Sequence, residues 1–383
     1  MLNATETMLI HANQHPGIAR LREKIMKWLS IPSEDADLID FCLAVYKSNE
    51  LPGDPLWGMI IDASGGGKTE LLRAFRERPN VCCLSHLTEK TLVSGYRDPG
   101  SPDKDPSLLP ELDGKVLVIK DLAPLLSMRR ESRNAIFAQL RDAYDGFTDQ
   151  GRGNLGKVSY EARFTMLVAS TLAIERYDSV DQELGERFVK IRARGDAARD
   201  KVRKAIENVG QDDSMRLEIQ NAISSFLDSQ PPMTTQRVPD GLRDRLIDLS
   251  DFTAKARSPV ARDSKHELQY VPRPEVGTRL GKELAKLLMA LANIHGKEQP
   301  DEDEYAIVGR VADDCLPPRR LEVIQCLRSS EEPLSFDDLM QKCFARRSTL
   351  ERTLEDLELV GAVTSFNSQE YGGEVWELAI KTK

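Results

Sequence analysis

A glycine-rich segment that follows an apolar run constrains the fold of this chain more than any other feature of its sequence. Leu56–Ile61 reads LWGMII, a short apolar run suited to a buried strand. Asp62–Thr69 reads DASGGGKT, and Glu70–Glu77 then has the apolar spacing of a helix. A strand, a glycine-rich turn and a helix in this order indicate a loop that binds phosphate groups.

The residue types of this segment fit the chemistry of a nucleoside triphosphate. Glycines let consecutive backbone N–H groups turn toward a polyphosphate, and the positive N-terminus of the following helix faces the same anion. Lys68 is expected to reach the β- and γ-phosphates, and Thr69 to place a hydroxyl on Mg²⁺. The predicted ligands are therefore ATP and Mg²⁺. The predicted nucleotide-binding residues are Ser64, Gly65, Gly66, Gly67, Lys68 and Thr69.

One position departs from the usual pattern G-x-x-x-x-G-K-[ST]. Asp62 stands where that pattern has its first glycine. A carboxylate this close to phosphates would repel them unless it points away from the loop. The alternative interpretation is a glycine-rich turn before a helix, in which Lys68 and Thr69 have no ligand.

A second apolar run ends in an acidic residue. Val116–Ile119 reads VLVI and continues into Lys120, Asp121 and Leu122. Enzymes that hydrolyse nucleotides on this kind of loop hold Mg²⁺ through an acid at the end of a second buried strand, so Asp121 is the expected metal ligand, directly or through water. The usual Asp-Glu pair is missing, because Lys120 or Leu122 takes the other position, depending on the alignment.

Two other interpretations of this acidic region remain open. Glu131 and Asp142 could replace the missing carboxylate if the fold brings either of them to the loop. Asp121 could instead cap a helix that follows the strand, which is a common role for aspartate. The sequence thus predicts nucleotide binding more directly than hydrolysis.

The remaining pattern predicts an α/β fold. Further strands are expected at Val81–Leu84, Phe164–Ala169 and Phe188–Arg192, and their alternation with helical stretches indicates a parallel sheet. The C-terminal part predicts three helices and two β-prone segments, the order of a winged helix-turn-helix. The predicted domains are an N-terminal helical segment (1–50), a nucleotide-binding core (51–195), a helical lid (196–314) and a winged helix-turn-helix (315–383).

Taken together, these residues resemble the AAA+ ATPases. The order of phosphate loop, acidic strand, helix, hairpin, polar-ended strand, Arg-Phe pair and helical lid is similar to the order in that family. Phe164–Thr171 (FTMLVAST) resembles the sensor-1 strand of the family. This resemblance implies that Thr171, or alternatively Ser170, orients the water that attacks the γ-phosphate.

The same resemblance extends to an arginine and to the lid. Leu184–Phe188 (LGERF) is similar to the segment with the arginine finger, which implies that Arg187 reaches the γ-phosphate in a neighbouring subunit. The alternative is an ordinary ion pair of Arg187 with a nearby acid. Arg279 opens the apolar helical pattern Leu280–Ile294, as in the minichromosome-maintenance helicases. This implies a sensor-2 role for Arg279, with Arg257 as a competing candidate.

A basic hairpin segment adds a candidate DNA contact. Phe147–Glu161 resembles the hairpin that lines the central pore in rings of the helicase group, which implies DNA-backbone contacts for Arg152 and Lys157. A basic surface loop is the alternative. The chain also resembles a group of ATPases from phages and integrative elements, through its VIKD strand end, its LGERF segment and its tail. That likeness implies a role in the DNA metabolism of a mobile genetic element.

The tail has the basic residues that a recognition helix needs at its N-terminal end, but it is acidic as a whole. From Asp313 on it contains nine Lys and Arg and fourteen Asp and Glu residues. DNA contact therefore requires strong segregation of charge, and a protein-interaction or dimer-packing module is the alternative. The candidate DNA-binding residues of the tail are Arg346, Arg347 and Arg352, with Lys342, Arg319 and Arg320 as further phosphate contacts.

Composition narrows the functional classes. The net charge of −9 does not favour a uniformly basic nucleic-acid coat. No run of apolar residues is long enough for a transmembrane helix, so a soluble, cytoplasmic protein is expected. The six cysteines form no C-x-x-C pair and are expected to be buried, reduced thiols rather than zinc ligands or disulfides.

Three functions compete at this point. The first is a DNA-associated AAA+ ATPase that assembles into a ring or filament and drives or switches replication, recombination or transposition. The second is an ATP-gated protein-interaction module with weak or no hydrolysis, favoured by the missing acid and the acidic tail. The third, a small-molecule kinase with a phosphate loop, would not need a long helical lid and a winged helix.

Overall fold

The computed structural model describes residues 16–94, 106–152, 156–176, 187–195, 198–235, 237–263, 265, 267–369, 371 and 373–380. The helices are α1 (Pro16–Trp28), α2 (Asp37–Lys47), α3 (Lys68–Arg73), α4 (Ala123–Leu126), α5 (Arg130–Tyr144), α6 (Ala198–Glu207), α7 (Asp212–Ser229), α8 (Asp240–Arg257), α9 (Thr278–Ile294), α10 (Glu302–Asp314), α11 (Pro318–Arg328), α12 (Phe336–Lys342) and α13 (Arg347–Leu359). The strands are β1 (Trp57–Ile61), β2 (Val81–Leu84), β3 (Val116–Ile119), β4 (Phe147–Arg152), β5 (Gly156–Glu161), β6 (Thr165–Ser170), β7 (Val189–Arg192), β8 (Leu334–Ser335), β9 (Val363–Ser368) and β10 (Gly373–Leu378).

The chain forms two compact units. One comprises Met1–Val238 and Lys286–Ile307, and the other comprises Pro239–Ala285 and Val308–Lys383. The division runs through α9 and α10 and therefore crosses the stretch that the sequence assigns to a helical lid. Each unit has its own apolar core.

The first unit is built on a five-stranded parallel sheet in the order β2-β3-β6-β1-β7. This sheet, with helices on its sides, confirms the predicted α/β class. The parallel register aligns Ile61 at the end of β1 with Ser170 at the end of β6, and β6 pairs with β3 on its other side. The carboxyl ends of these three strands consequently lie together at one edge of the sheet, where ligands of open parallel sheets bind.

Burial explains why these apolar runs become strands. Every residue of β1, β3 and β6 is buried, as expected for central strands of a sheet that is covered on both faces. Trp57 begins β1, donates a hydrogen bond from Nε1 to the carbonyl oxygen of Phe164 at 2.9 Å, and packs edge-on against Tyr144. On this face the core combines strand residues Met59, Ile61, Leu117, Ile119, Met166 and Val168 with helix residues Ile136, Phe137 and Leu140.

A glycine lets α2 approach the strand that leads to the phosphate loop. A Cβ atom at Gly58 would lie 2.6 Å from Cγ2 of Val45 and 2.9 Å from Cζ of Phe41. Real Cβ atoms do not pack this closely, so the absence of a side chain at Gly58 is what allows this helix to lie directly on β1.

The second unit contains the predicted tail elements and one strand that the sequence analysis did not identify. α11, α12 and α13 occupy the predicted helical stretches, and β9 and β10 pair as an antiparallel hairpin. Leu334–Ser335 forms β8 and pairs with β10, which gives the sheet order β8-β10-β9. The apolar core of the second unit contains Phe252, Leu316, Ile324, Leu339, Leu350, Leu354, Leu357 and Trp376.

Two further expectations have direct outcomes. The cysteines are free thiols, but Cys83 on β2 is exposed and Cys82 and Cys326 are only partly buried, which corrects the expectation that all six are buried. Cys83 lies on an edge strand, which is less covered than the strands at the centre of the sheet. Within the described ranges, every helix is too short or too polar to cross a lipid bilayer.

A buried charge cluster joins the first two helices to the segment 286–307 of the same unit. Arg22 donates from Nε to Oδ1 of Asp40 at 2.8 Å, and His295 Nε2 lies 3.1 Å from Oδ2 of Asp40. The other ring nitrogen of His295 contacts Glu304. Burial alone would lower the pKa of His295, but hydrogen bonds to both carboxylates outweigh burial and raise the pKa to about 9.

This cluster predicts a stability loss at alkaline pH. Because folding raises the pKa of His295, its stabilising contribution is complete below the unfolded value of 6.5 and is lost as pH rises through about 9. Urea unfolding of the wild type and of His295→Gln between about pH 6 and pH 10 measures this difference. We expect the difference in unfolding free energy to shrink toward the alkaline end. A difference that is constant with pH would show that His295 stays neutral in the folded chain.

Candidate nucleotide-binding site

The glycine-rich segment lies at the carboxyl edge of the parallel sheet. β1 ends at Ile61, the backbone N–H of Asp62 donates to the carbonyl oxygen of Ser170 at 3.3 Å, and α3 begins at Lys68. The chain leaves β1 toward β2 on one side of the sheet, whereas it leaves the neighbouring β6 toward β7 on the other side. Crevices for ligands form at such a change of direction in parallel sheets. The predicted order of strand, loop and helix is therefore present at the carboxyl edge of the sheet, but the helix spans Lys68–Arg73 and not the predicted Glu70–Glu77.

The backbone of this loop needs glycine at two positions. Gly65 and Gly67 have φ values of 80° and 91°, in the left-handed region that residues with a side chain rarely adopt. Gly67 directly precedes α3. A turn of this kind brings successive N–H groups to one concave side, which suits an anion.

Lys68 folds back across the start of the loop. Its Nζ donates to the carbonyl oxygens of Asp62 at 2.8 Å and of Ala63 at 2.6 Å. Burial lowers the pKa of Lys68, against the opposing effects of the nearby carboxylates of Asp62 and Asp121. The ammonium of Lys68 thus lies within electrostatic reach of Asp62 and of Asp121, the acid that follows β3.

The carboxylate of Asp62 points into the loop rather than away from it. Oδ1 accepts the N–H of Ala63 at 2.6 Å, and Oδ2 lies 3.2 Å from Nζ of Lys201 on α6. A Cβ atom at Gly66 would lie only 1.8 Å from that same Oδ2. Gly66 is therefore required for this packing, and the carboxylate lies against the loop with a lysine from a distant segment beside it.

Asp121 makes a local side-chain hydrogen bond just before α4. Its Oδ1 accepts the backbone N–H of Ala123, the first residue of this short helix, at 2.9 Å, and Leu122 holds the N-cap position itself. This bond uses one oxygen of the carboxylate and keeps the side chain at the end of β3. The neighbouring positions do not supply a second acid there, since Leu122 is buried in the apolar core and Lys120 is exposed.

The two polar residues at the end of β6 differ in their surroundings. Ser170 is fully buried, and its Oγ has no hydrogen-bond partner among the described residues. Thr171 is half-buried, and the N–H of Ala173 lies 3.4 Å from its Oγ1. Ser170 is the last residue of β6 and Thr171 follows it, so both lie beside the end of β1. Thr171 is the more accessible of the two candidates for the polar position.

Arg187 lies at the amino ends of the strands, whereas the loop lies at their carboxyl ends. It precedes β7, which runs parallel to β1, so it lies near the start of β1. Its Nη2 contacts both carboxylate oxygens of Asp145 at 3.1 and 3.2 Å, and its guanidinium lies over the ring of Tyr144. Arg187 is buried, and a contact with a neighbouring subunit would require it to leave these partners.

The two alternative catalytic acids lie on α5. Glu131 is in the first turn of this helix, and Asp142 is in the last. Burial raises the pKa of Asp142, and Arg187 is close enough to oppose that shift. Asp142 is therefore placed with Arg187 rather than with the loop.

The two sensor-2 candidates lie in the second unit and share one carboxylate. Arg257 donates to both oxygens of Glu275, with the shortest contact at 2.8 Å. Arg279 donates to Oε1 of the same residue at 3.0 Å. Arg257 is buried, whereas Arg279 keeps about a third of its side chain exposed, so Arg279 is the more accessible of the two.

The candidate DNA contacts fall in two places. Arg152 pairs with Gly156, and Lys157 pairs with Gly151, at the end of the β4–β5 hairpin next to residues 153–155, which lie outside the described residues. In the tail, Arg346 and Arg347 are exposed at the start of α13, and Arg352 is half-buried one turn later.

The structure removes one candidate phosphate contact from the tail. Arg320 is 8% exposed and donates to the carbonyl oxygens of Ala256 at 2.9 Å and Ser258 at 2.6 Å. The expectation that Arg320 touches DNA is wrong, because its guanidinium satisfies backbone groups inside the second unit. Its neighbour Arg319 donates to the carbonyl oxygen of Phe344.

Sequence reasoning missed Lys201 as a member of the site. It lies 139 residues after Asp62, in a helical stretch with several other basic residues. Nothing in the local pattern distinguishes it from them. The unusual carboxylate at position 62 was the available signal, since a partly buried acid needs a cationic partner.

No protein-family model matches this sequence, and no significant match to it is found among curated proteins. In the described part of the chain, no group of three or more His, Cys, Asp or Glu side chains is placed to hold a metal ion. Mg²⁺ sites often use one or two protein oxygens with substrate phosphates and water. Thr69 and Asp121 carry oxygen donors of the kind that such a site uses.

The contacts of Arg187 predict a structural role within the chain. Arg187→Ala should lower the free energy of unfolding by about 1–2 kcal/mol, a moderate loss because Asp145 is half-exposed and its charge is screened by water. Urea unfolding measures this loss, and Asp145→Asn should cause a similar one. The double variant should lose less than the sum of the two. Additive losses would show that the pair contributes nothing.

Proposed function

We propose that this chain is an ATP-binding AAA+ protein whose nucleotide site is the loop Ser64–Thr69. The observation that carries the proposal is the position of Lys68, whose ammonium is held by the carbonyl oxygens of Asp62 and Ala63 at the carboxyl edge of the sheet, within electrostatic reach of the acid that follows β3. Left-handed glycines at positions 65 and 67 provide the concave backbone that a polyphosphate needs. The order of predicted elements around this loop is the further support for the family.

Each residue of the loop has a proposed task when ATP binds. Phosphate oxygens replace the carbonyl oxygens of Asp62 and Ala63 as partners of Lys68, and the backbone N–H groups of Gly65–Lys68 donate to the β-phosphate. Thr69 and Asp121 hold Mg²⁺, which neutralises charge on the phosphates. Ser170 or Thr171, at the end of the adjacent strand, orients the attacking water.

The missing second acid favours slow hydrolysis. A general base must lie within hydrogen-bonding distance of the attacking water. Leu122 is buried in the core and Lys120 is exposed, so neither position beside Asp121 supplies a base. An ATP-gated interaction module is accordingly the second candidate function. Turnover that increases with protein concentration would favour completion of the site by a neighbouring subunit.

We propose that the tail is a winged helix-turn-helix that contacts DNA through the start of α13. Arg346 and Arg347 are exposed there, and Arg347 is also within 4.9 Å of the Phe336 ring. Part of the negative charge of the same helix is offset from outside the tail, since the single positive charge of Arg262 contacts both Glu355 and Asp356. The acidic total of the tail therefore overstates the negative charge that its recognition helix presents.

Lys68→Ala should weaken ATP binding by about 100-fold, because a charge-assisted hydrogen bond to phosphate is lost from a partly buried site. Isothermal calorimetry with ATP and Mg²⁺ measures the change. Lys90→Ala removes an exposed lysine outside the loop and should bind like the wild type. Equal affinity of the Lys68 variant and the wild type would contradict the proposed site.

Arg346→Ala and Arg347→Ala should each weaken DNA binding by roughly fivefold at low salt, and each should reduce the salt dependence of binding by about one counterion. Fluorescence anisotropy with labelled duplex DNA at several salt concentrations measures both effects. Arg243→Ala, a half-exposed arginine on α8, is the matched control. If neither variant changes the affinity, or the wild type binds no DNA, the proposed contact is wrong and the protein-interaction module is the alternative that stays.

A further inference from the structure

A second lysine contacts the phosphate loop, and neither the motif nor the resemblance assigns it a role. Lys201 on α6 places its Nζ 3.2 Å from Oδ2 of Asp62. The side chain of Lys201 is 18% exposed and that of Asp62 is 10% exposed. Every residue of α6, in contrast, is at least partly exposed. The lysine side chain thus reaches inward from a helix that otherwise lies on the surface.

The charges at the loop need this lysine. Asp62 lies against Gly66, so its carboxylate lies beside the backbone that would bind phosphates. A polyphosphate at this position is repelled by the carboxylate unless a cation offsets it. Lys68 alone would have to satisfy both the carboxylate and the phosphates. Lys201 adds a second positive charge within reach of the same carboxylate.

We propose that Lys201 neutralises Asp62 and so allows a loop that begins with a carboxylate to accept a nucleoside triphosphate. The proposal rests on the proposed function of the loop and adds a positioning residue from outside the motif. Lys201 acts through Asp62 rather than on the reacting atoms. It also makes α6 part of the nucleotide site.

The pair further connects nucleotide binding to α6. Two further hydrogen bonds attach α6 and the residue that follows it to the rest of the unit. Ser30 Oγ donates to the carbonyl oxygen of Asp200 at 3.1 Å, and Asn208 donates to the carbonyl oxygen of Trp28 at 3.2 Å. An anion that changes the position of Asp62 therefore acts on one of the attachments of this helix.

A double-mutant cycle read by calorimetry with ATP and Mg²⁺ tests the proposal. Lys201→Gln should weaken ATP binding by about tenfold, because Asp62 then repels the phosphates without compensation. Asp62→Asn should bind as well as the wild type or better. The double variant should bind within about threefold of Asp62→Asn, since no carboxylate remains to be neutralised. Lys201→Arg should preserve affinity, and Lys204→Gln, one turn along the same helix, is the control.

Each other outcome overturns the proposal. Wild-type affinity in Lys201→Gln would show that the pair has no effect on binding. An equal loss from Lys201→Gln in the Asp62→Asn background would mean that Lys201 contacts the phosphates directly. A large loss in Asp62→Asn would make the carboxylate itself a requirement for binding. If one of these outcomes is observed but Lys68→Ala still weakens ATP binding, the proposed function of the loop stands and only the role of Lys201 is overturned. If the wild type does not bind ATP, both proposals are overturned.

Discussion

Parallel pairing of β6 with both β1 and β3 is the constraint on which the site depends. The pairing aligns Ile61 with Ser170 and Ile119 with Val168, so the strands end at the same edge of the sheet. The loop after β1 and the acid after β3 come together because of this alignment and not because they are close in sequence. A slip of one residue would move each side chain of β6 to the opposite covered face, where it would no longer match the packing of its neighbours.

Apolar packing holds that alignment in place. The central strands are buried on both faces, and Trp57 fixes the start of β1 through a hydrogen bond to the chain just before β6. On the opposite side of the strand, Gly58 gives α2 room to lie close. The loop begins only four residues after Gly58, so the path of the backbone into the loop is set by this packing rather than by the loop itself.

The strands, the loop and most helices could be predicted because each leaves a local signal. Apolar runs such as Val116–Ile119 identify central strands, and consecutive glycines identify the turn. β8 has only two residues and leaves no periodic signal. Long-range ion pairs leave none either: neither the pair of Asp62 with Lys201 nor the burial of Arg320 can be read from neighbouring residues. The direction of the Asp62 carboxylate was a question that only three-dimensional structure could answer.

The central claim is that the loop binds the phosphates of ATP through its backbone and Lys68. A crystal structure of the full chain with a non-hydrolysable ATP analogue and Mg²⁺ tests it most directly. We expect the β- and γ-phosphates to lie in the turn Gly65–Lys68, with Nζ of Lys68 moved from the carbonyl oxygens of Asp62 and Ala63 to phosphate oxygens. An analogue bound elsewhere, with Lys68 still held by those two carbonyl oxygens, would contradict the account.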